Sequence, residues 1–118
     1  MVVEDDARVR ECLARTIAFE DDLVVVAAAA DAVAALTLAV RTDPSVAIVD
    51  LLLPDSTTGL ALVRSLAQRP GCAVVAMSVR SGLRAAAGAA GSVDFVEKSG
   101  DIDALLDALR AAAHQRRV

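Results

Sequence analysis

The chain alternates between short, continuous apolar runs and longer stretches in which apolar residues recur every three or four positions. Continuous runs are typical of buried strands, and the longer spacing is typical of helices with one apolar face. Regular alternation of the two indicates a parallel sheet with helices packed on both of its faces. The five predicted strands are residues 1–3, 23–26, 46–49, 73–77 and 93–96.

The first two helices are predicted from their capping residues and from their apolar spacing. Asp6 is expected to cap a helix that ends near Phe19, and Asp31 is expected to open a second helix. The second helix is rich in alanine and has its larger apolar residues on one face. These are Val33, Leu36 and Val40.

The remaining helices differ in strength. A third helix follows the loop 54–59, whereas residues 79–92 are rich in alanine but contain three glycines, which disfavour a helix interior. We therefore expect a short or mobile fourth helix. Gly100 or Asp101 leads into a fifth, amphipathic helix, whose end at 114–117 is polar and includes His114 as a helix-end residue.

The composition indicates one soluble domain. The chain has 118 residues, of which 56% are hydrophobic and only 2% aromatic, so that aliphatic side chains must fill the core. The net charge of −4 argues against nucleic-acid binding by this segment. Cys12 and Cys72 lie in apolar surroundings and are expected to be reduced core thiols. Since neither a membrane span nor a signal peptide is evident, we expect a cytoplasmic protein.

Polar residues follow the predicted strands at the edge where parallel strands end together. Glu4 and Asp5 follow the first strand, Asp50 the third, Ser78 the fourth and Lys98 the fifth. Each alone has an ordinary explanation as a helix cap, a turn former or a surface residue. Their joint occurrence at four strand ends is specific, and it predicts an acidic, metal-binding and phosphoryl-accepting site.

With these residues, the chain resembles a bacterial response-regulator receiver domain, which has a chemotaxis-regulator-like fold. The resemblance extends over essentially the whole chain. The resemblance implies that residues 1–118 form one receiver domain with a flavodoxin-like, doubly wound (βα)5 architecture. Its five-stranded parallel sheet would have the order 2-1-3-4-5. It also implies that Asp50 accepts a phosphoryl group from the phosphohistidine of a sensor histidine kinase.

The resemblance also assigns the other site residues. Mg²⁺ or Mn²⁺ would be bound by Asp5 and Asp50, by Glu4 partly through water, and by the backbone carbonyl of Leu52. Lys98 and Ser78 would hold phosphoryl oxygens. Ser78 and Phe95 would act as the conformational switch, with the aromatic ring turning inward as the serine moves toward the phosphoryl group, although a plain packing role for Phe95 is an equal alternative.

The chain departs from the family pattern at several positions. The loop 54–59 is one residue longer than usual and has Thr58 in place of an acidic residue, and the segment from Ser78 to Lys98 is about two residues shorter. The loop beside the acceptor is therefore expected to be reshaped. Ser99 follows Lys98 where many members have proline, so we expect a trans peptide bond there.

Two positions bear on the lifetime and the output of the phosphorylated state. Leu52 and Arg80 are at the positions that tune hydrolysis in the family, and because Leu52 cannot hydrogen-bond an attacking water, we expect a long-lived phosphoryl-Asp50. Val79 and the Lys98–Ser99 pair resemble the subfamily with a C-terminal helix-turn-helix domain. Transcriptional control would then act through an output domain outside residues 1–118, the only part that would contact DNA.

Alternatives remain open at this stage. A stand-alone receiver, or a pseudo-receiver that acts as an interaction module without phosphorylation, has the same sequence pattern. A small metal-dependent phosphatase fits less well, because such enzymes need a second aspartate at the position of Leu52. The predicted domain is therefore no enzyme beyond its own phosphorylation and dephosphorylation. A homodimer is possible through the first and last helices or through the fourth-to-fifth face.

Overall fold

The predicted doubly wound fold is confirmed by a computed structural model that describes residues 1–54 and 56–115. Its five parallel strands have the order β2-β1-β3-β4-β5. The strands are β1 Val2–Val3, β2 Ala28–Ala29, β3 Val46–Asp50, β4 Ala73–Ser78 and β5 Asp94–Glu97. The helices of the described residues are α1 Ala7–Ala18, α2 Ala32–Thr42, α3 Ser56–Ala67, α4 Arg84–Ala90 and α5 Ile102–Gln115, with a 3₁₀ turn at Ser81–Leu83.

The sheet separates two hydrophobic clusters. One cluster contains Val3 and Val49 and lies on the side of α2, α3 and α4, whereas the other contains Val2 and Ile48 and lies on the side of α1 and α5. Successive strand residues point to opposite faces, which explains why neighbouring residues belong to different clusters. Both faces are covered, as the continuous apolar runs predict.

The predicted position of the second strand is wrong. Residues 23–26 have the highest strand propensity in this part of the chain, but the strand forms at Ala28–Ala29. A strand requires a partner, and β1 pairs Val2 with Ala28 and Val3 with Ala29. Register with β1 therefore determines where β2 forms, and the local preference of the valines does not.

The apolar face predicted for α2 does not pack in the core. Ala35 and Ala39 are fully buried, whereas Val33 and Val40 are 77% and 72% exposed. The alanine face packs on the hydrophobic cluster that α2 shares with α3 and α4. The predicted face of Val33, Leu36 and Val40 is left facing outward, so the spacing predicted the helix correctly but its orientation wrongly.

Other local predictions are largely confirmed. Asp6 caps α1 by accepting from the N–H groups of Arg8 and Val9, and Asp31 caps α2 by accepting from Ala34. The stretch 79–92 contains only a 3₁₀ turn and a seven-residue helix, as expected from its glycines.

The cysteine prediction is correct for Cys72, which is buried, and wrong for Cys12, which is exposed on α1, although neither residue forms a disulfide. No cis peptide bond occurs in the described residues, so the expectation for Ser99 is confirmed. Asp55 of the lengthened loop, and residues 116–118 of the polar end, lie outside the described residues.

Ion pairs connect the last helix, α5, to residues in the first quarter of the chain. The Arg110 guanidinium donates to Glu20 at 2.7 Å and to both oxygens of Asp22 at 2.8 and 3.0 Å. These bonds raise the pKa of Arg110 and lower the pKa of Asp22. The contacts connect α5 to the turn after α1. None of the helices in the described ranges is both long enough and apolar enough to cross a membrane.

Candidate functional site

Asp50 lies at the carboxyl end of β3, and both of its carboxylate oxygens are engaged. The side chain is almost fully buried. The N–H of Leu52 donates to Oδ1 at 3.1 Å, and the ammonium of Lys98 donates to Oδ2 at 3.1 Å. The carboxylate is therefore oriented by the turn that follows its own strand and by a cation that follows a second strand.

Glu4 is the most deeply buried acid of the site. Its side chain has no solvent exposure and accepts a hydrogen bond from the ammonium of Lys98, which thereby bridges Glu4 and Asp50. Burial raises the pKa of Glu4 from 4.5 to about 7, and the negative charge of Asp50 adds to this rise, while the bond from Lys98 opposes it. Burial lowers the pKa of Lys98, but its bonds to the two carboxylates produce a net rise. The charges of Glu4, Asp50 and Lys98 therefore interact directly with one another.

Asp5 is exposed and completes an acidic cluster with Glu4 and Asp50. One carboxylate oxygen from each of the three residues lies within 4.8 Å of the others. Three clustered carboxylates offer the hard oxygen ligands that Mg²⁺ and Mn²⁺ prefer, and their mutual repulsion favours a divalent cation. The donor set therefore fits the predicted metal. The Leu52 carbonyl belongs to the turn beside Asp50, where its role as a further ligand stays a prediction.

Ser78 and Lys98 lie next to each other at the ends of β4 and β5. Ser78 is fully buried, and its main-chain carbonyl accepts from the N–H of Lys98 at 2.9 Å. Its hydroxyl oxygen accepts from the N–H of Arg80 at 3.1 Å. In the register of the sheet, Asp50 is paired with Met77, one residue before Ser78. The sheet thus brings together the strand ends that carry the predicted site residues.

Phe95 lies on β5 opposite Ala76, and its side chain is only 5% exposed. The guanidinium carbon of Arg84, the first residue of α4, lies 4.9 Å from the centre of the ring, which is the geometry of a cation–π contact. The ring is thus turned into the core, where it contributes to packing. Its role as a switch stays a prediction, and sequence reasoning missed its contact with Arg84.

Two further residues shape the site without having been predicted from the sequence. The Arg10 guanidinium donates to the main-chain oxygen of Glu4 at 2.9 Å and to that of Asp5 at 3.4 Å. A Cβ added at Gly59 would lie 2.0 Å from the main-chain oxygen of Leu51. A basic residue one turn into the helix after an acidic loop, and a glycine in a helix start, are the sequence signals that could have identified them.

Residues 1–110 match the family model described as the response regulator receiver domain. The chain is 35% identical over 103 residues to a protein-glutamate methylesterase/protein-glutamine glutaminase of Caldanaerobacter subterraneus, a match that covers 85% of this chain and 28% of that protein. The chain thus spans little more than a quarter of the length of this curated relative.

Solved structures of response regulators are also similar to this chain. A LuxR-family two-component response regulator from an Aurantimonas species is 32% identical, with a TM-score of 0.88, and the match covers 98% of this chain and 84% of that one. NtrX from Brucella abortus is 27% identical, with a TM-score of 0.85 over 98% of this chain and 26% of that one. The likeness to these proteins therefore extends over almost all of this chain.

Proposed function

Because the chain belongs to the response regulator receiver domain family, we propose that it is a phosphorylation-controlled switch that accepts a phosphoryl group on Asp50. The observation that carries the proposal is the position of the Asp50 carboxylate. It lies at a strand end, next to two further acids and in contact with the Lys98 ammonium. An aspartate that served only as a cap or a turn former would need none of these partners.

In the proposed reaction, a carboxylate oxygen of Asp50 attacks the phosphorus of a kinase phosphohistidine. A new bond forms between the aspartate oxygen and phosphorus, the bond between phosphorus and the imidazole nitrogen breaks, and the imidazole leaves with the electron pair. Lys98 contacts Asp50 already, and it stabilises negative charge on the phosphoryl oxygens as a compact cation. A divalent cation held by Glu4, Asp5, Asp50 and the Leu52 carbonyl would supply further charge neutralisation.

The proposed response to phosphorylation begins at Ser78. Its hydroxyl oxygen accepts from Arg80 in the structure, and the hydroxyl proton is available to donate to a phosphoryl oxygen on Asp50. A contact that exists in only one of two states shifts the equilibrium between them. Phe95 is packed on the neighbouring strand, and the change would reach α4 through its contact with Arg84.

We propose a sensor histidine kinase as the phosphoryl donor and the cytoplasm as the location. The likeness to a LuxR-family regulator supports a DNA-binding output domain elsewhere in the protein, with transcription as the controlled process. The likeness to a protein-glutamate methylesterase supports a catalytic output domain as the second candidate. The covalent chemistry of residues 1–118 themselves is limited to phosphorylation and dephosphorylation of Asp50, and a homodimer of the phosphorylated form is the candidate assembly.

The phosphoacceptor proposal is tested by incubating the protein with acetyl phosphate and Mg²⁺ and measuring the intact mass. We expect the mass of one phosphoryl group to be added to the wild type and to the Asp103→Asn variant, which changes an exposed acid on α5. The Asp50→Asn variant is expected to gain none. A modification that persists in Asp50→Asn would refute the assignment. An unmodified wild type would favour a pseudo-receiver that acts only through protein contacts.

A further inference from the structure

Arg10 reaches back from the beginning of α1 to the loop that carries Glu4 and Asp5. Its nitrogen Nη1 donates to the main-chain oxygen of Glu4 at 2.9 Å and to that of Asp5 at 3.4 Å. Both residues contribute a carboxylate to the acidic cluster with Asp50. Neither bond ends on a carboxylate, so Arg10 acts on the two acids through their main chain and does not occupy their carboxylate oxygens.

The loop is restrained at both ends as well as by Arg10. Its start is joined to the sheet, because the N–H of Glu4 donates to the oxygen of Ala29 at 3.0 Å. Its end is joined to α1 by Asp6, whose carboxylate caps the helix and whose main-chain oxygen accepts from the N–H of Arg10 at 2.8 Å. Asp5 lies between these two anchors, and the Arg10 guanidinium holds its main-chain oxygen there.

A restrained loop discriminates between cations of different size. Mg²⁺ requires nearly ideal octahedral geometry with oxygen ligands at about 2.0–2.1 Å, whereas Ca²⁺ accepts variable geometry with ligands at about 2.3–2.6 Å. Ligands that are held in place can therefore favour the smaller ion, and ligands that are free to adjust lose this preference. The charge of Arg10 acts differently, because it repels two divalent cations about equally and has little effect on the ratio of their affinities.

We propose that Arg10 is a positioning residue that makes the acidic site selective for Mg²⁺ over Ca²⁺, an inference that rests on the proposed function because it requires the site to bind a divalent cation. Arg10 holds the main chain of Glu4 and Asp5, so their carboxylates are kept near that of Asp50 before the cation binds. Without Arg10, the buried carbonyl of Glu4 loses a donor and the loop is freer to rearrange. Mg²⁺ needs the more regular arrangement, and it therefore loses more affinity from that freedom than Ca²⁺ does.

Arg8 provides the matched control for the loss of charge. It lies two residues before Arg10 on α1, and it is exposed. Its main-chain N–H donates to the cap Asp6, and a glutamine at this position retains that group. Arg8→Gln therefore removes one positive charge from the same end of the helix, whereas Arg10→Gln also removes the bonds to Glu4 and Asp5.

The test is an NMR titration of the protein with MgCl₂ and, separately, with CaCl₂, at constant ionic strength and without a phosphoryl donor. The Kd values are obtained from the amide shifts of Asp5 and Leu52. We expect the wild type and Arg8→Gln to bind Mg²⁺ more tightly than Ca²⁺, with the same ratio of the two Kd values. Arg10→Gln should bind Mg²⁺ about tenfold more weakly, at the lower end of the losses typical when a group that orients metal ligands is removed. Its Ca²⁺ affinity should change much less, so the preference for Mg²⁺ should fall.

Arg10→Lys separates positioning from charge and tests the proposal even if Arg10→Gln is too unstable to titrate. The lysine keeps the cation, but its flexible side chain holds the loop less rigidly, so the preference for Mg²⁺ should lie between those of the wild type and Arg10→Gln. A Kd ratio equal to that of the wild type in either variant would overturn the proposal. Equal affinities of the wild type for the two ions would overturn the selectivity alone. A wild type whose amides shift with neither ion would refute the metal site of the proposed function, and the role of Arg10 with it.

Discussion

Gly59 provides the sharpest test of how the helix after Asp50 is positioned. A Cβ at this position would lie 2.0 Å from the main-chain oxygen of Leu51 and 2.4 Å from its carbonyl carbon. Carbon and oxygen normally approach no closer than about 3.3 Å. Gly59→Ala must therefore move α3 or the turn by roughly 1 Å, at a cost typical of overpacking, about 1–3 kcal/mol. Higher helix propensity offsets only about 1 kcal/mol of that cost.

Gly88 is the matched control because it lies in α4 and has no atom within 4 Å of an added Cβ. Gly88→Ala should therefore gain about 0.5–1 kcal/mol of stability from helix propensity alone. The clash at Gly59 is with main-chain atoms that cannot rotate away, so its cost should be near the upper end of the overpacking range, about 3 kcal/mol. After the propensity gain of about 1 kcal/mol is subtracted, Gly59→Ala should lose about 2 kcal/mol of stability. The free energies of unfolding are measured by urea denaturation with a shared slope.

Phosphorylation provides a second readout of the same contact. Displacement of Leu51 also moves the neighbouring N–H of Leu52, which orients Asp50 at 3.1 Å. We therefore expect slower phosphorylation of Gly59→Ala by acetyl phosphate, with no change in Gly88→Ala. If Gly59→Ala were as stable as Gly88→Ala and were phosphorylated at the wild-type rate, the close packing of α3 on the turn would be refuted.

Three further predictions concern the charges and the turn around Asp50. With metal chelated, stability should fall as pH rises, because the pKa of Glu4 is raised from 4.5 to about 7. The stabilisation by protonated Glu4 is complete below about pH 4.5 and is lost as the pH rises through about 7. Glu4→Gln should therefore flatten the plot of unfolding free energy against pH in this range, and parallel plots for the two proteins would contradict the assignment to Glu4. Lys98→Met leaves two buried carboxylates without their cation, so the free energy of unfolding measured by urea denaturation should fall by about 2–3 kcal/mol at pH 8 and by less at pH 5. Phosphorylation of this variant, followed by intact mass, should be much slower. Leu52→Gln should shorten the lifetime of phosphoryl-Asp50 by positioning a water, and a wild-type half-life of seconds in a purified sample would contradict this reasoning.

The architecture could be predicted from the sequence because buried parallel strands are continuous apolar runs. The position of β2 could not, because the valines at 24–26 have the stronger propensity while the partner strand offers pairing only to Ala28 and Ala29. The predicted orientation of α2 was wrong for a related reason. A face of small residues such as Ala35 and Ala39 lets a helix pack closely, and close packing can outweigh the burial of larger side chains farther around the helix.

The residues of the site were predictable because strand ends are defined by where apolar runs stop. Their coupling was not predictable, since the sequence does not show that Lys98 bridges Glu4 and Asp50 or that Glu4 has no solvent exposure. Arg10 and Gly59 act through main-chain atoms. Such contacts depend on distances between elements, which hydrophobic patterns do not specify.

The contact between Arg84 and the buried ring of Phe95 has a consequence for the proposed switch. The ring is turned inward, and the Arg84 guanidinium contacts it there. If an inward ring corresponds to the active state, the increase in the active fraction on phosphorylation is limited by the fraction of molecules that are already in that state. Arg84 would then stabilise the inward position of the ring, and substitution of Arg84 would lower the fraction of molecules in which the ring is inward.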